Sequence, residues 1–150
     1  MKTIFEDHTR KELIDRISLL NENSTRQWGK MNIYQMAKHC TTWDEWVLGV
    51  NDQTYKQSFL GLIFGKLALK SEVWSDKPMK KGMPAGKGVT IKETGGDVEL
   101  QKKKWIQRIG EYGNFSNTKF VHDFFGRMTK EEIGIFAYKH ADHHLRQFNA

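Results

Sequence analysis

The spacing of apolar residues predicts two helices in the first third of the chain. The first starts near Thr9, where Thr9-x-x-Glu12 has the spacing of a capping box, and its apolar residues recur every three or four positions, at Leu13, Ile17 and Leu20. The second runs from about Asn32 toward Gly49, and its apolar stripe consists of Met36, Cys40, Trp43 and Val47. The polar stretch NENST at 21–25 separates the two helices.

The middle of the chain is less regular. Residues 55–74 have a third helical pattern, although Gly61 and Gly65 weaken it. Both prolines of the protein lie within 75–96, a stretch that therefore predicts a long loop with a short extended piece at Val89–Glu93. Helical spacing returns over 97–109.

A second irregular stretch, GEYGNFSNTKF at 110–120, precedes the last helix. That helix opens at another capping box, Thr129-x-x-Glu132, and extends to about Gln147. A chain of 150 residues fits a single domain covering 1–150. We therefore expect an all-α protein: an antiparallel four-helix bundle with an inserted helical piece and a long basic loop at 75–96.

Charge and composition narrow the function classes. The net charge is +6, and eight lysines lie between Lys77 and Lys104, in a stretch that we interpret as a solvated loop and not as a surface for specific nucleic-acid binding. The single cysteine, Cys40, cannot form an internal disulfide. The chain has neither a signal-peptide pattern nor an apolar stretch long enough to span a membrane. These features predict a cytoplasmic protein with no membrane partner.

Three of the six histidines lie in the segment HADHH at 140–144. On a helix, His140 and His144 are one turn apart and leave the same face, an arrangement that is common in zinc sites. Two imidazoles in the core both need polar partners, and one shared metal ion satisfies them together. Ala141 stands where the H-E-x-x-H metalloproteases carry the glutamate that serves as their general base, so the metalloprotease reaction is excluded. The pair continues an apolar stripe of Ile133, Phe136, Ala137 and Phe148.

His39 lies between Met36 and Trp43 and so borders the apolar stripe of the second helix. Facing helices of a bundle bring such stripes together, and metal sites are built between them. His39, His140 and His144 would then bind one divalent ion and leave open coordination positions, as in catalytic zinc sites. Imidazole ligands favour Ni²⁺ or Zn²⁺. For His39 alone, the alternative is a core histidine bonded to a backbone carbonyl.

Other polar residues near these histidines are candidates for supporting roles. Gln35 is one turn before His39 and could orient it, but Asn32-x-x-Gln35 is equally a helix-start pairing, which we favour. His143 lies at the edge of the histidine stripe and could support the metal ligands from outside. The nearest acids that could serve as a base are Asp44 and Glu45.

In combination, these motifs resemble a known family. QWGKMNIYQMAKHC at 27–40 and GRMTKEEIGIFAYKHADHHLRQF at 126–148 are similar to segments of the DinB/YfiT-like superfamily of metal-dependent four-helix proteins. The resemblance implies a metal triad of one histidine on the second helix and an H-x-x-x-H on the last, which falls on His39, His140 and His144. It also implies transferase or hydrolase chemistry, and some relatives transfer low-molecular-weight thiols to electrophiles.

Two functions stay open at this point. The favoured one is a metal-dependent enzyme, of thiol-transferase or hydrolase type, acting on a small molecule with a low-molecular-weight thiol as co-substrate. The alternative is a non-catalytic metal-containing module that binds a small ligand. We also expect a homodimer, because related proteins commonly pair and because one thin bundle does not readily hide so many large apolar groups: Trp43, Trp46, Phe59, Leu62, Ile63 and Phe64.

Overall fold

The computed structural model describes all residues from Met1 to Ala150 and is mostly helical. Its five α-helices are α1 (Asp7–Leu19), α2 (Ile33–Leu48), α3 (Phe59–Val73), α4 (Val98–Glu111) and α5 (Lys130–Gln147). The strands β1 (Val121–His122) and β2 (Gly126–Arg127) form a small antiparallel hairpin, and 3₁₀ turns lie at Lys87–Val89 and Tyr112–Asn114. The expectation of a mainly helical protein is confirmed, whereas no local pattern predicted the hairpin.

Side-chain caps set where four of the helices begin. Asn32 caps α2 and Thr129 caps α5, each in a reciprocal capping box with the residue three positions later. Ser58 caps α3 and Asp97 caps α4, each by accepting from a backbone N–H of the first turn. The predicted starts of α2 and α5 are therefore confirmed together with their physical cause.

The predicted start of the first helix is wrong. Thr9 does not cap α1, which already begins at Asp7; the Thr9 side chain is buried, and its hydroxyl donates to the carboxylate of Glu6 at 3.3 Å. The extended piece expected at Val89–Glu93 forms no regular strand: a 3₁₀ turn ends at its first residue, Val89, and the next residue, Thr90, has extended backbone angles. The Val89 side chain is buried in the hydrophobic core.

The hydrophobic core lies among four of the helices. α2 packs against α4 and α5, and α1 packs against the same two helices. Because α2 and α5 meet in this core, their apolar faces and the histidines on those faces lie opposite each other. Large side chains that are fully buried include Leu13, Ile17, Met36, Trp105, Tyr112 and Leu145.

No helix of the protein is both long and apolar enough to cross a membrane.

The helix α3 packs on α5 and on the hairpin, and it contributes only Leu69 and Val73 to this core. Gly61 and Gly65 face the backbone carbonyl of Phe124, and a Cβ at either position would overlap that oxygen. Only glycine permits so close an approach of two backbones. The two glycines that weaken the helical pattern of 55–74 are therefore the residues that allow α3 to dock.

The segment 75–96 is irregular, as predicted, but it is not simply a solvated loop. Its lysines are exposed, whereas Met79 and Val89 are buried in the core. Near its end, the Thr94 carbonyl accepts a hydrogen bond from Nδ2 of Asn32 at 2.6 Å. The carboxylate of Glu93 also pairs with Lys38 of α2 at 2.7 Å. The segment is therefore held against α2.

Candidate metal centre

Three imidazoles converge between α2 and α5. His39 is on α2, His140 and His144 are on α5, and all three are buried. One ring nitrogen of each lies within 4.8 Å of the corresponding nitrogens of the other two. Nε2 of His39 is 3.2 Å from Nε2 of His140. The predicted convergence is confirmed: three buried histidines lie close enough to hold a metal ion.

Val89 determines which nitrogen of His39 carries a proton. Nδ1 of His39 lies 2.8 Å from the Val89 carbonyl oxygen, which can only accept, so Nδ1 donates. Burial lowers the pKa of His39 below its ordinary value, so the ring is neutral near pH 7. A neutral ring has one proton. Nε2 of His39 is therefore unprotonated, and its lone pair faces His140.

Gln147 has the same effect on His144. The Gln147 amide nitrogen donates to the Trp28 carbonyl at 2.9 Å, which fixes the direction of the amide. Its oxygen, Oε1, therefore faces Nδ1 of His144 at 2.9 Å and accepts a hydrogen bond from it. Burial, followed by the neighbouring His39, lowers the pKa of His144 well below its ordinary value. Nε2 of His144 is left unprotonated.

His140 completes the group inside an apolar wall. Burial, followed by the proximity of His144 and His39, lowers the pKa of His140 well below its ordinary value. The ring centroid of Trp43 is 4.4 Å from that of His140, and Phe136 packs on the other part of Trp43 at 5.8 Å. All three imidazoles are therefore neutral near pH 7, the state in which histidine binds metals.

The spacing between two of the nitrogens fits a divalent ion, and the third lies within 4.8 Å of both. Two nitrogens bound to zinc at tetrahedral angles are roughly 3.3 Å apart, and the His39 and His140 nitrogens are 3.2 Å apart. Without an ion, the same distance allows one hydrogen bond from His140 to His39. That bond would leave Nε2 of His144 with no partner in the chain, whereas a single ion accepts a lone pair from each of the three rings. The donor set of three imidazoles suits Zn²⁺ or Ni²⁺.

Comparison with known families places the chain in one of them. Residues 5–150, nearly the whole chain, match the family DUF1569, described as Protein of unknown function. The chain belongs to the DUF1569 family. No curated protein and no solved structure matches it.

Two residues expected beside the metal ligands of this DUF1569 protein have other contacts. Gln35 takes part in the capping box, with Oε1 accepting from the Asn32 backbone N–H at 3.1 Å. This is the helix-start pairing that the sequence favoured. The half-buried ring of His143 lies 5.1 Å from that of His144 and packs edge-on against Trp28. Neither side chain belongs to the cluster of three nitrogens.

The two acids considered as a base point toward α4. Asp44 is buried and accepts a hydrogen bond from the Tyr112 hydroxyl at 2.8 Å. Glu45 pairs with Arg108 at 3.2 Å. The cluster of potential metal ligands contains only histidines. No carboxylate therefore belongs to this cluster of the DUF1569 protein.

Three contributors to the site were not predicted. Gln147 follows His144 by three positions, so its i, i+3 spacing on a helix was a usable signal. The Val89 carbonyl is a backbone group in a loop and has no residue signature. His122 lies in the hairpin, where Nδ1 accepts from the Phe124 backbone N–H at 3.1 Å. Its ring packs against Phe136 and so borders the apolar wall of the site.

Proposed function

We propose that this DUF1569 protein binds one divalent ion, Ni²⁺ or Zn²⁺, through His39, His140 and His144 and uses it as an enzyme on a small molecule. The supporting observation is a pair of hydrogen bonds, from His39 to Val89 and from His144 to Gln147. Each uses Nδ1 and leaves Nε2 unprotonated toward the cluster. Metal-binding histidines almost always donate their other N–H to an oxygen in this way.

The chemistry follows from what surrounds the cluster. A bound divalent ion lowers the pKa of a coordinated thiol or water, which supplies a nucleophile near neutral pH. Trp43 and Phe136 exclude bulk water from one side, while Val89 and Gln147 hold two of the rings in place.

The reaction type follows from the absence of a base. Hydrolysis is ordinarily assisted by a side chain that takes a proton from the metal-bound water and returns one to the leaving group, and Asp44 and Glu45 are engaged elsewhere. In thiol transfer the thiolate is itself the nucleophile: its sulfur forms a bond to the electrophilic carbon, the bond from that carbon to its leaving group breaks, and the thiol proton leaves to solvent. We therefore favour transfer of a low-molecular-weight thiol to an electrophilic small molecule over hydrolysis.

The corresponding fold is an antiparallel four-helix bundle of α1, α2, α4 and α5, with α3 as the inserted helix, in the manner of the DinB/YfiT-like superfamily. The mutual packing of these four helices supports it. So does the position of the histidines on facing helices, where bundle proteins build their metal sites.

The closed character of the site favours a second candidate, a metal-containing module without catalysis. The exposed fractions of His39, His140 and His144 are only 4%, 8% and 6%. Two surface pockets, of about 360 and 440 Å³, are lined by other residues. The three imidazoles are therefore largely shielded from solvent.

Metal content tests the site itself. Elemental analysis should find one equivalent of metal in the wild type and little in His39→Ala, His140→Ala or His144→Ala. His8→Ala is the matched control, because His8 is an exposed histidine on α1. Full metal content in any of the three variants would remove that residue from the site.

Activity separates the two candidates. Metal-loaded wild type and His140→Ala are screened side by side against pairs of low-molecular-weight thiols and electrophiles. Turnover in the wild type alone supports the enzyme. Equal turnover in both proteins, or none across a broad panel, favours the non-catalytic module.

A further inference from the structure

The outer face of α3 exposes a large apolar surface. Its buried positions include Gly61 and Gly65, which lie against the Phe124 carbonyl. A helix that is apolar on all sides is ordinarily buried on all sides. The outer face of α3 has no such cover within this chain. Six large side chains there are between 55% and 75% exposed: Phe59, Leu60, Leu62, Ile63, Phe64 and Leu67.

The size of this face matches one half of a stable interface. A large apolar side chain presents about 150–200 Å² when free, so the six together present roughly 700 Å² at their exposed fractions. The largest apolar patch of an ordinary monomer is about 300–600 Å². Each partner in a standard protein interface buries about 800 Å². The face therefore exceeds what a monomer ordinarily exposes and has the area that a dimer needs.

The charges near α3 distinguish between two possible partners of its outer face, a second copy of the chain and a membrane surface. The chain has a net charge of +6, yet Lys66 is the only charged residue between Phe59 and Leu67, and its ammonium turns back to the Arg127 carbonyl. Two copies can therefore meet through this face without opposing like charges. A helix that lies on a membrane carries lysine and arginine along its polar face. The opposite face of α3 instead carries glycines packed on the hairpin.

We infer that two copies of this chain form a homodimer in which the outer faces of their α3 helices pack antiparallel across a two-fold axis. Such a contact requires a self-complementary surface, and a continuous apolar helix face is one. α3 has 15 residues and is about 22 Å long, so one antiparallel pairing spans all six positions, with Phe59, Leu60, Ile63 and Leu67 at its centre and Leu62 and Phe64 on its two flanks. The inference does not rest on the proposed metal function.

The two tryptophans expected at a dimer interface take no part in this one. Trp43 and Trp46 are each 4% exposed and belong to the core of the monomer. Trp43 packs on His140, and Trp46 packs on Phe120 of the irregular stretch before β1. The expectation that these two side chains exceed what one copy can bury is wrong.

Analytical ultracentrifugation tests the dimer. At micromolar concentration the wild type should sediment at twice the monomer mass of 17.5 kDa. Ile63→Glu places a carboxylate in the middle of the face and should raise the dimer dissociation constant by roughly 30-fold or more. Its helical circular dichroism should be unchanged, because Ile63 is exposed. Leu19→Glu is the matched control: Leu19 is an exposed leucine of α1, and the variant should stay dimeric.

Two results would overturn the inference: a wild type that sediments only as a monomer, or an Ile63→Glu variant that stays dimeric. Co-sedimentation with vesicles of phosphatidylcholine and phosphatidylglycerol provides a further arm. A monomeric wild type that binds these vesicles would assign the face to a membrane surface instead. A dimeric protein that stays in the supernatant when the vesicles are pelleted supports the α3 interface.

Discussion

Nε2 of His39 lies 3.2 Å from Nε2 of His140, although 101 positions separate the two residues in the chain. A third segment, distant from both residues in the chain, determines which nitrogen of His39 carries the proton. Nδ1 of His39 donates to the carbonyl of Val89 in that segment. The identity of the candidate ligands is thus a local property of two helices. The orientation of His39 depends on the long segment between α3 and α4, whereas Gln147, on the same helix, orients His144.

The first prediction concerns the amide that orients His144. Gln147→Leu removes the acceptor for Nδ1 of His144, so the ring can turn or change tautomer. The affinity for Zn²⁺ should fall by about 10–100-fold. Gln147→Glu keeps an acceptor beside His144 but loses the donor to the Trp28 carbonyl, and it should retain most of the affinity. Competition with a chromophoric chelator measures both.

A matched control for these variants is Gln107→Leu, at an exposed position of α4. It should bind Zn²⁺ as the wild type does. If Gln147→Leu and Gln147→Glu lost the same amount of Zn²⁺ affinity, the hydrogen bond to the Trp28 carbonyl would matter and the acceptor for Nδ1 of His144 would not. That result would contradict the role of Gln147 in orienting His144.

The second prediction is that the metal does not hold the fold together. A core of 27 buried apolar residues packs throughout the protein, and a chain of this length folds without a metal. The apo protein should therefore keep its helical circular dichroism after treatment with a chelator. Metal at 100 times its Kd should add only about 2.7 kcal/mol to the free energy of unfolding. A loss of helical signal on chelation at room temperature would refute this.

The helices could be predicted from sequence because their causes are local. Apolar spacing and capping boxes located α2 and α5, and with them the three histidines. The hairpin could not be found this way, since strands of two residues are too short for an alternating pattern. The Val89 carbonyl could not be found either, because any residue supplies a carbonyl and only the folded chain places one beside His39.

The helix α3 shows a different limit. Its residues are apolar all round, so periodicity could not tell which face would be buried. The packing was decided by Gly61 and Gly65, whose lack of a Cβ permits contact with the Phe124 backbone. The same ambiguity made Trp43 and Trp46 look like interface residues, because apolar character alone does not separate a core face from an exposed one.

The third prediction tests how α3 docks. Gly65→Ala would bring a Cβ against the Phe124 carbonyl, which is backbone and cannot move aside easily. The free energy of unfolding should fall by about 1–3 kcal/mol in urea denaturation. Gly110→Ala is the matched control in α4, because no atom lies within 4 Å of the added Cβ. It should stabilise the protein by about 0.4–1 kcal/mol. A neutral Gly65→Ala would mean that α3 does not pack on the hairpin through its glycines.

The fourth prediction is a pH dependence that originates at Asp44. Burial raises the pKa of this carboxyl to about 7, against the hydrogen bond from Tyr112, which lowers it. An unfolded aspartate has a pKa of about 3.9. Between these values the folded state keeps a proton that the unfolded chain has released. The free energy of unfolding contributed by Asp44 therefore falls as pH rises from about 4 to 7, by on the order of 4 kcal/mol in total.

Asp44→Asn mimics the protonated acid, because its amide oxygen can still accept from the Tyr112 hydroxyl, and it carries no titrating proton. The variant should match the wild type near pH 5 and exceed its stability at pH 8, as measured by urea denaturation at both values. Asp15→Asn, at an exposed aspartate of α1 that pairs with Lys11, is the control and should keep the wild-type difference in stability between the two pH values. If the free energy of unfolding of Asp44→Asn differs between pH 5 and pH 8 by as much as that of the wild type, Asp44 is not the residue that titrates between these pH values.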